Sequence, residues 1–240
     1  MQRAQRRSFW QPACACNRRI PPNDQPVLLS NPDPFYLGSL LLSVVIAISV
    51  HEFAHALAAD LLGDRTPRLD GRLTLDPRSH IDPFGAILFL LAGFGWGRPV
   101  LTNPRNFRTG FRTGMALVAA AGPFSNLVLA FIAAQLLRSG LLARFVPWDW
   151  VTGFLYIFMS LNVVLLIFNL LPVPPLDGFK VALGLLPDNV ADMLAGIERT
   201  GPLLLMFLVL AGNLTQQYGF TPLGLLMTPA RNAVMQLLGM

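Results

Sequence analysis

Residues 37–50, LGSLLLSVVIAISV, contain no charged side chain, and the same helical pattern runs on through His51, Glu52 and His55 before ending near Gly63. This feature constrains the fold most. A helix over 35–62 is about 42 Å long at 1.5 Å per residue, enough to cross a bilayer with some tilt. An ionisable side chain at the centre of such a helix costs about 2.5–3.5 kcal/mol on insertion scales, so it marks a functional site by default. The rest of the chain agrees with a bilayer environment. Only 13% of the 240 residues are charged and 53% are hydrophobic, where soluble domains carry about 25% charge. Intrinsic disorder and an ordinary soluble enzyme are excluded, and one integral membrane domain is expected.

Further apolar segments follow. TGMALVAAAGPFSNLVLAFIAAQLL at 113–137 is a second full span, in which Ala119–Gly122 admits a close neighbour and Pro123 predicts a kink. Residues 151–171 form a third span, ending at a proline cluster. A fourth begins at Leu203 and is broken by GNLTQQYG, after which 220–240 either continue it or lie in the interface. Between spans one and two, Pro83–Trp96 is apolar but too short to cross, so it reads as re-entrant or interfacial. RLDGRLTLD alternates leucine with polar residues and predicts a short strand or hairpin around 65–80. The expected fold is an all-α polytopic membrane protein with about four to six transmembrane or re-entrant helices and that short β element. Residues 1–34, rich in Arg and Pro, read as a disordered tail or the product of a misassigned start. Residues 35–240 read as one membrane domain.

The chemistry sits in His51-Glu52-Phe53-Ala54-His55. On a helix, residues i and i+4 share a face, so both imidazoles can reach one zinc at about 2.0–2.1 Å. In such a motif the glutamate does not bind metal but takes a proton from water at the zinc. A hydrolytic zinc site needs a third protein ligand. Asp177 is the choice: it follows a full apolar span, Pro172, Pro174 and Pro175 forbid ordinary helix before it, and Gly178 permits an unusual backbone angle beside it. A carboxylate on non-helical backbone at membrane depth requires a protein-lined or watery cavity. His80, in the polar stretch DPRSHIDP, reads as structural.

HEFAH in a membrane helix with NLLPVPPLDG downstream resembles the site-2 protease family of intramembrane zinc metalloproteases. AGPFSN at 121–126 is similar to the family's Gly-Pro-x-x-Asn segment. GFGWGRPVLTNPRNFR at 93–108 resembles a stretch of its compact bacterial members, which have no PDZ or CBS domain. The resemblance implies one Zn2+ per chain held by His51, His55 and Asp177, with Glu52 as the catalytic acid–base. It makes Asn169 and Asn126 candidates for substrate or oxyanion contacts. It further implies membrane-protein substrates cleaved within or near transmembrane segments, and a bacterial source.

Charge gives an orientation. Eight arginines between 63 and 112 place that segment in the cytoplasm under the positive-inside rule. His55 lies about 12 Å along the helix from Gly63, and Asp177 lies just past span three, so the site faces the cytoplasmic side of a multi-pass protein in the cell membrane. The five arginines of residues 1–30 conflict with this, although most lie too far from the span to count. The basic excess reflects membrane orientation and not a nucleic-acid partner; nothing in the sequence sets an oligomeric state. Leu69–Leu75 is the expected edge for pairing an extended substrate. Two other classes compete: a prenyl-protein-processing zinc protease, which would need a glutamate such as Glu198 as third ligand, and a non-catalytic metal scaffold or transporter, for which Glu52 has no use.

Overall fold

The computed structural model describes residues 33–82, 84–85, 97–140, 149–216 and 222–240. The expected tail lies outside these apart from its last two residues, and so does the 83–96 segment apart from Phe84 and Gly85. The long helices are α1 (Pro34–Leu61), α4 (Phe111–Ser139), α5 (Asp149–Asn169), α8 (Gly201–Gln216) and α9 (Pro222–Leu237). The shorter α6 (Asp177–Leu185) and α7 (Asp188–Ala195) fall between α5 and α8. Four stretches are long and apolar enough to cross a membrane: Pro34–Leu61, Phe111–Ser139, Trp150–Asn169 and Asp188–Gly212. The fourth therefore begins earlier than Leu203, and α8 continues through Gln216 instead of breaking at Gly212.

Helix ends follow from local chemistry. Asp33 caps α1 by accepting from the Phe35 N–H at 3.0 Å, with Pro34 in the first turn, where its missing N–H costs nothing. At the other end Gly63 takes φ +112°, and the Asp64 N–H reaches back to the Ala59 carbonyl at 2.9 Å. α4 runs unbroken through Pro123 and stops at Gly140 with φ 55°.

Two stripes of small residues bring the spans together. On α1 the buried residues Ser39, Ser43, Ala47, His51, His55 and Ala59 recur every fourth position. On α4 Gly114, Val118, Gly122, Asn126, Ala130 and Ala134 do the same. Ridges of i±4 residues are what helices interdigitate. In lipid, where apolar burial between helices gains little, close backbone approach of small residues takes its place. α5 inserts Leu155, Phe158, Met159, Asn162, Val163, Leu166 and Ile167 against both, and α9 packs on α5 through Met227, Val234 and Met235.

The strand or hairpin expected around 65–80 is not formed. In its place stand two single helical turns, α2 (Thr66–Leu69) and α3 (Pro77–His80), each with a proline in its first turn, and a bend at Gly71 with φ +69°. The Arg72 guanidinium donates to the carbonyls of Ser79 and Arg98, where a ladder would have used backbone N–H groups. Leu69 ends α2 and Leu75 lies in the loop before α3, both as exposed apolar side chains that share no strand face. The one bridge among the described residues is antiparallel, Ile81 to Gly97, with the Arg98 N–H on the His80 carbonyl at 2.7 Å.

A buried carboxylate ties this cap together. Asp64, fully buried, accepts from the Thr66 N–H and hydroxyl, the Asn103 N–H and the Asn106 amide at 2.6–3.1 Å. The Arg108 N–H adds a bond to the Leu62 carbonyl at 2.9 Å. Burial pushes the Asp64 carboxyl up, but these bonds outweigh it and hold the group below the usual carboxylate range. The 97–108 segment is thereby fixed against the end of α1.

Candidate active site

Three elements meet at one point. α1 presents His51 and His55 one turn apart; α6 presents Asp177. The Nε2 atoms of the two histidines lie 3.0 Å apart, and each lies 3.2 Å from Asp177 Oδ2. His51 and His55 are buried and Asp177 is half-buried. The histidine rings are held edge to face, 4.6 Å between centroids.

The far side of each ring is fixed by α4. His55 Nδ1 lies 2.7 Å from the Val118 carbonyl, which can only accept, so Nδ1 carries the proton and Nε2 the lone pair. His51 Nδ1 lies 2.6 Å from Asn126 Oδ1. With both Nδ1 atoms protonated, two Nε2 lone pairs and a carboxylate oxygen converge with no hydrogen between them. Three acceptors in contact repel one another unless a cation sits among them. Their separations are close to the roughly 3.3 Å edge of a tetrahedron with zinc-like bonds of about 2.0–2.1 Å. The donor set, two imidazoles and one carboxylate, is a zinc set, and these three residues form the metal-ligand group found among the described residues.

The local sequence explains how the pieces reach each other. A Cβ on Gly122 would collide with both imidazoles, so only glycine lets α4 pass behind the histidines. A Cβ on Gly178 would collide with the Leu170 and Leu171 carbonyls, so the Asp-Gly pair lets α6 start hard against the end of α5. This corrects two expectations. Asp177 is the first residue of a helix, not part of a non-helical stretch; irregular backbone is confined to 170–176, where the prolines stand. Gly178 is needed for space and not for an unusual φ.

The remaining candidates separate. Glu52 is half-buried and lines the same cavity, its Oε1 3.8 Å from where a Cβ on Gly97 would stand. Asn169 also lines the cavity and donates through Nδ2 to the Leu165 carbonyl at 3.0 Å. Asn126 is fully buried and engaged on both sides of its amide, by His51 and by Asn162. His80 is buried away from the cluster, with Nε2 on the Thr74 carbonyl at 2.7 Å. Leu69 and Leu75 do not line the cavity; Gly97, Pro99, Val100 and Thr102 do. The cavity, about 810 Å3, is mostly apolar, and its outer wall is Pro202, Leu205 and Met206 of α8.

Comparison with known proteins agrees with this geometry. The sequence model of peptidase family M50 matches residues 143–208, which hold Asn169 and Asp177. A Bacillus subtilis protein named "Putative zinc metalloprotease YwhC" is 44% identical over 71% of this chain and 78% of its own. A Mycobacterium tuberculosis protein named "Putative zinc metalloprotease Rip2" is 34% identical over 75% of this chain and 70% of its own. The chain belongs to peptidase family M50, the site-2 proteases. It is a compact member of that family, a zinc metalloprotease embedded in a membrane by several helices. No solved structure matches the chain.

Sequence reasoning missed one participant of this M50 site, Asn162, which completes the polar chain behind His51. The small run ending at Gly122 predicts a close neighbour, and that neighbour is the pair of imidazoles. A signal for Asn162 existed: a lone amide in an apolar span needs a partner.

Proposed function

We propose that this M50 protein is an intramembrane endopeptidase that hydrolyses peptide bonds within or near the transmembrane segments of membrane proteins. The observation that carries the reading is the convergence of His51 Nε2, His55 Nε2 and an Asp177 carboxylate oxygen within 3.2 Å of one another, at an apolar-walled cavity that Glu52 also lines. These three residues would hold one Zn2+ per chain. Zinc held there supplies Lewis acidity, lowering the pKa of water at the site and polarising a peptide carbonyl.

The chain's own residues do the rest. Glu52 takes the proton from the attacking water and delivers it to the departing amide nitrogen. Asn169, on the cavity wall, would donate to the substrate carbonyl oxygen through the Nδ2 hydrogen not engaged by the Leu165 carbonyl. The apolar lining accommodates a lipid-exposed segment, while a helical substrate must unwind locally because its carbonyls are engaged in i→i−4 bonds. Residues 35–240 form the protease domain in this reading, working in a bacterial cell membrane. The arginines between Arg65 and Arg112 support a site that opens toward the cytoplasm.

The test is cleavage of a co-expressed single-span reporter helix carrying a soluble tag at each end. Glu52→Gln should keep zinc and abolish cleavage. Asp177→Ala should lose zinc, while His80→Ala keeps it. Cleavage that persists in Glu52→Gln would sink the mechanism; zinc retained in Asp177→Ala would overturn the ligand set.

A further inference from the structure

A line of hydrogen bonds runs through the bundle behind His51, and its direction is set at one end. Asn162 Nδ2 donates to the Phe158 carbonyl at 2.8 Å. A backbone carbonyl cannot donate, so Asn162 must present Nδ2 to it and Oδ1 to the other side. Facing that Oδ1 at 3.0 Å is Asn126, which must therefore present Nδ2 to it. Asn126 Oδ1 is then left to face His51 Nδ1, at 2.6 Å, and an acceptor there requires a protonated Nδ1. Turning either amide over would press acceptor against acceptor or donor against donor. Both asparagines are fully buried, so no water offers an alternative partner.

The consequence falls on the other ring nitrogen. In the metal-free protein the competing tautomer of His51 has something to gain, since a proton on Nε2 could be donated to Asp177 Oδ2, 3.2 Å away. That tautomer has no lone pair for a cation. The Phe158–Asn162–Asn126 chain opposes it.

We propose that Asn162 is a positioning residue: through Asn126 it locks His51 in the tautomer that turns an Nε2 lone pair toward Asp177 and His55, so that the site is preset for zinc. This rests on the reading of His51 as a zinc ligand. Asn162 touches neither the ligand triangle nor the cavity, which separates its role from that of Asn169.

Two measurements test it on the full-length chain in detergent or nanodiscs. The first is a double-mutant cycle in zinc affinity, by competition with a chelator. Asn162→Leu should weaken zinc about 10- to 100-fold, the usual cost of removing a partner behind a metal ligand. In an Asn126→Asp background, where a carboxylate accepts from Nδ1 whatever Asn162 does, the same substitution should change affinity less than about threefold. Equal losses in both backgrounds would mean that Asn162 only fills space, and no loss in the native background would remove it from the site. The second measurement needs no variant to fold and no zinc. The chain has three histidines, so 15N spectra of the metal-free wild type can be assigned to His51. Nδ1 should be protonated, and a bare Nδ1 overturns the proposal. If the wild type bound no zinc, the ligand reading would fail while the nitrogen spectrum still decided the direction of the chain.

Discussion

α4 and α8 both wall the cavity, yet they are held in opposite ways. In the most apolar stretch of α4, 39% of the residues are buried; in that of the Asp188–Gly212 span, which takes in α8 as far as Gly212, the figure is 11%. α4 touches α1, α5 and α6, and its backbone or side chains hold both histidines. α8 packs on α9, and at its start Gly201 sits against Pro174, while Arg112 of α4 forms ion pairs with Asp188 and Asp192 of the preceding α7. Most of its large side chains, Leu203, Phe207, Leu210 and Leu214 among them, face outward. The helix that holds the histidines is thus built into the core, and the helix that lines the other side of the cavity is largely exposed.

Substitutions sharpen or break this contrast. The largest effect is expected for Gly122→Ala. The added methyl must displace imidazoles whose placement the chemistry needs to within about 1 Å, so reporter cleavage should fall at least about 100-fold, with zinc content reduced. Unchanged zinc and activity would mean that α4 is no tighter than α8. Asp64→Ala comes next. It removes the acceptor shared by part-buried donors of Thr66, Asn103 and Asn106, a loss of about 1–3 kcal/mol in all, and thermal unfolding should report it. The same group predicts an acid limit. Its folded-state pKa is lowered, so its stabilisation is complete above the unfolded value of about 3.9 and is lost as pH falls through the lower folded value. Acid scans of wild type and Asp64→Asn should therefore converge below about pH 4. Arg112→Ala removes two partly exposed ion pairs, each worth about 0.2–1 kcal/mol. Zinc should stay, while hydrogen exchange in 188–205 should quicken and cleavage change within about threefold. Leu210→Ala, on the outer face of α8, should be neutral within about 0.5 kcal/mol.

What the sequence disclosed depended on the reach of each interaction. The four spans and the HEFAH pair are local: they follow from hydropathy and from a four-residue spacing on one helix. Asp177 was readable because prolines and a glycine surround it within ten residues. The misread strand at 65–80 shows the limit. Alternating Leu69, Leu73 and Leu75 fits a half-buried strand, but Leu69 and Leu75 are exposed and only Leu73 is half-buried, and prolines decide the backbone. The convergence on Gly122, the Asp64 tie to Asn103 and Asn106, and the line from Phe158 to His51 join residues 36 to 75 positions apart or belong to different helices. A single sequence gives no register between helices, so only the small run Ala119–Gly122 and the lone polar character of Asn126 and Asn162 hinted at a contact.

The four-residue recurrence from Ser39 to Ala59 also determines where this molecule tolerates length variation. One residue inserted between Ala47 and His51 would turn the two halves of α1 by about 100° relative to each other. The packing seam and the histidines could no longer share a face, although every residue type would be kept. Residues can be gained or lost between the helices far more freely than within α1. The count from seam to imidazole is as much a part of the site as the imidazoles themselves.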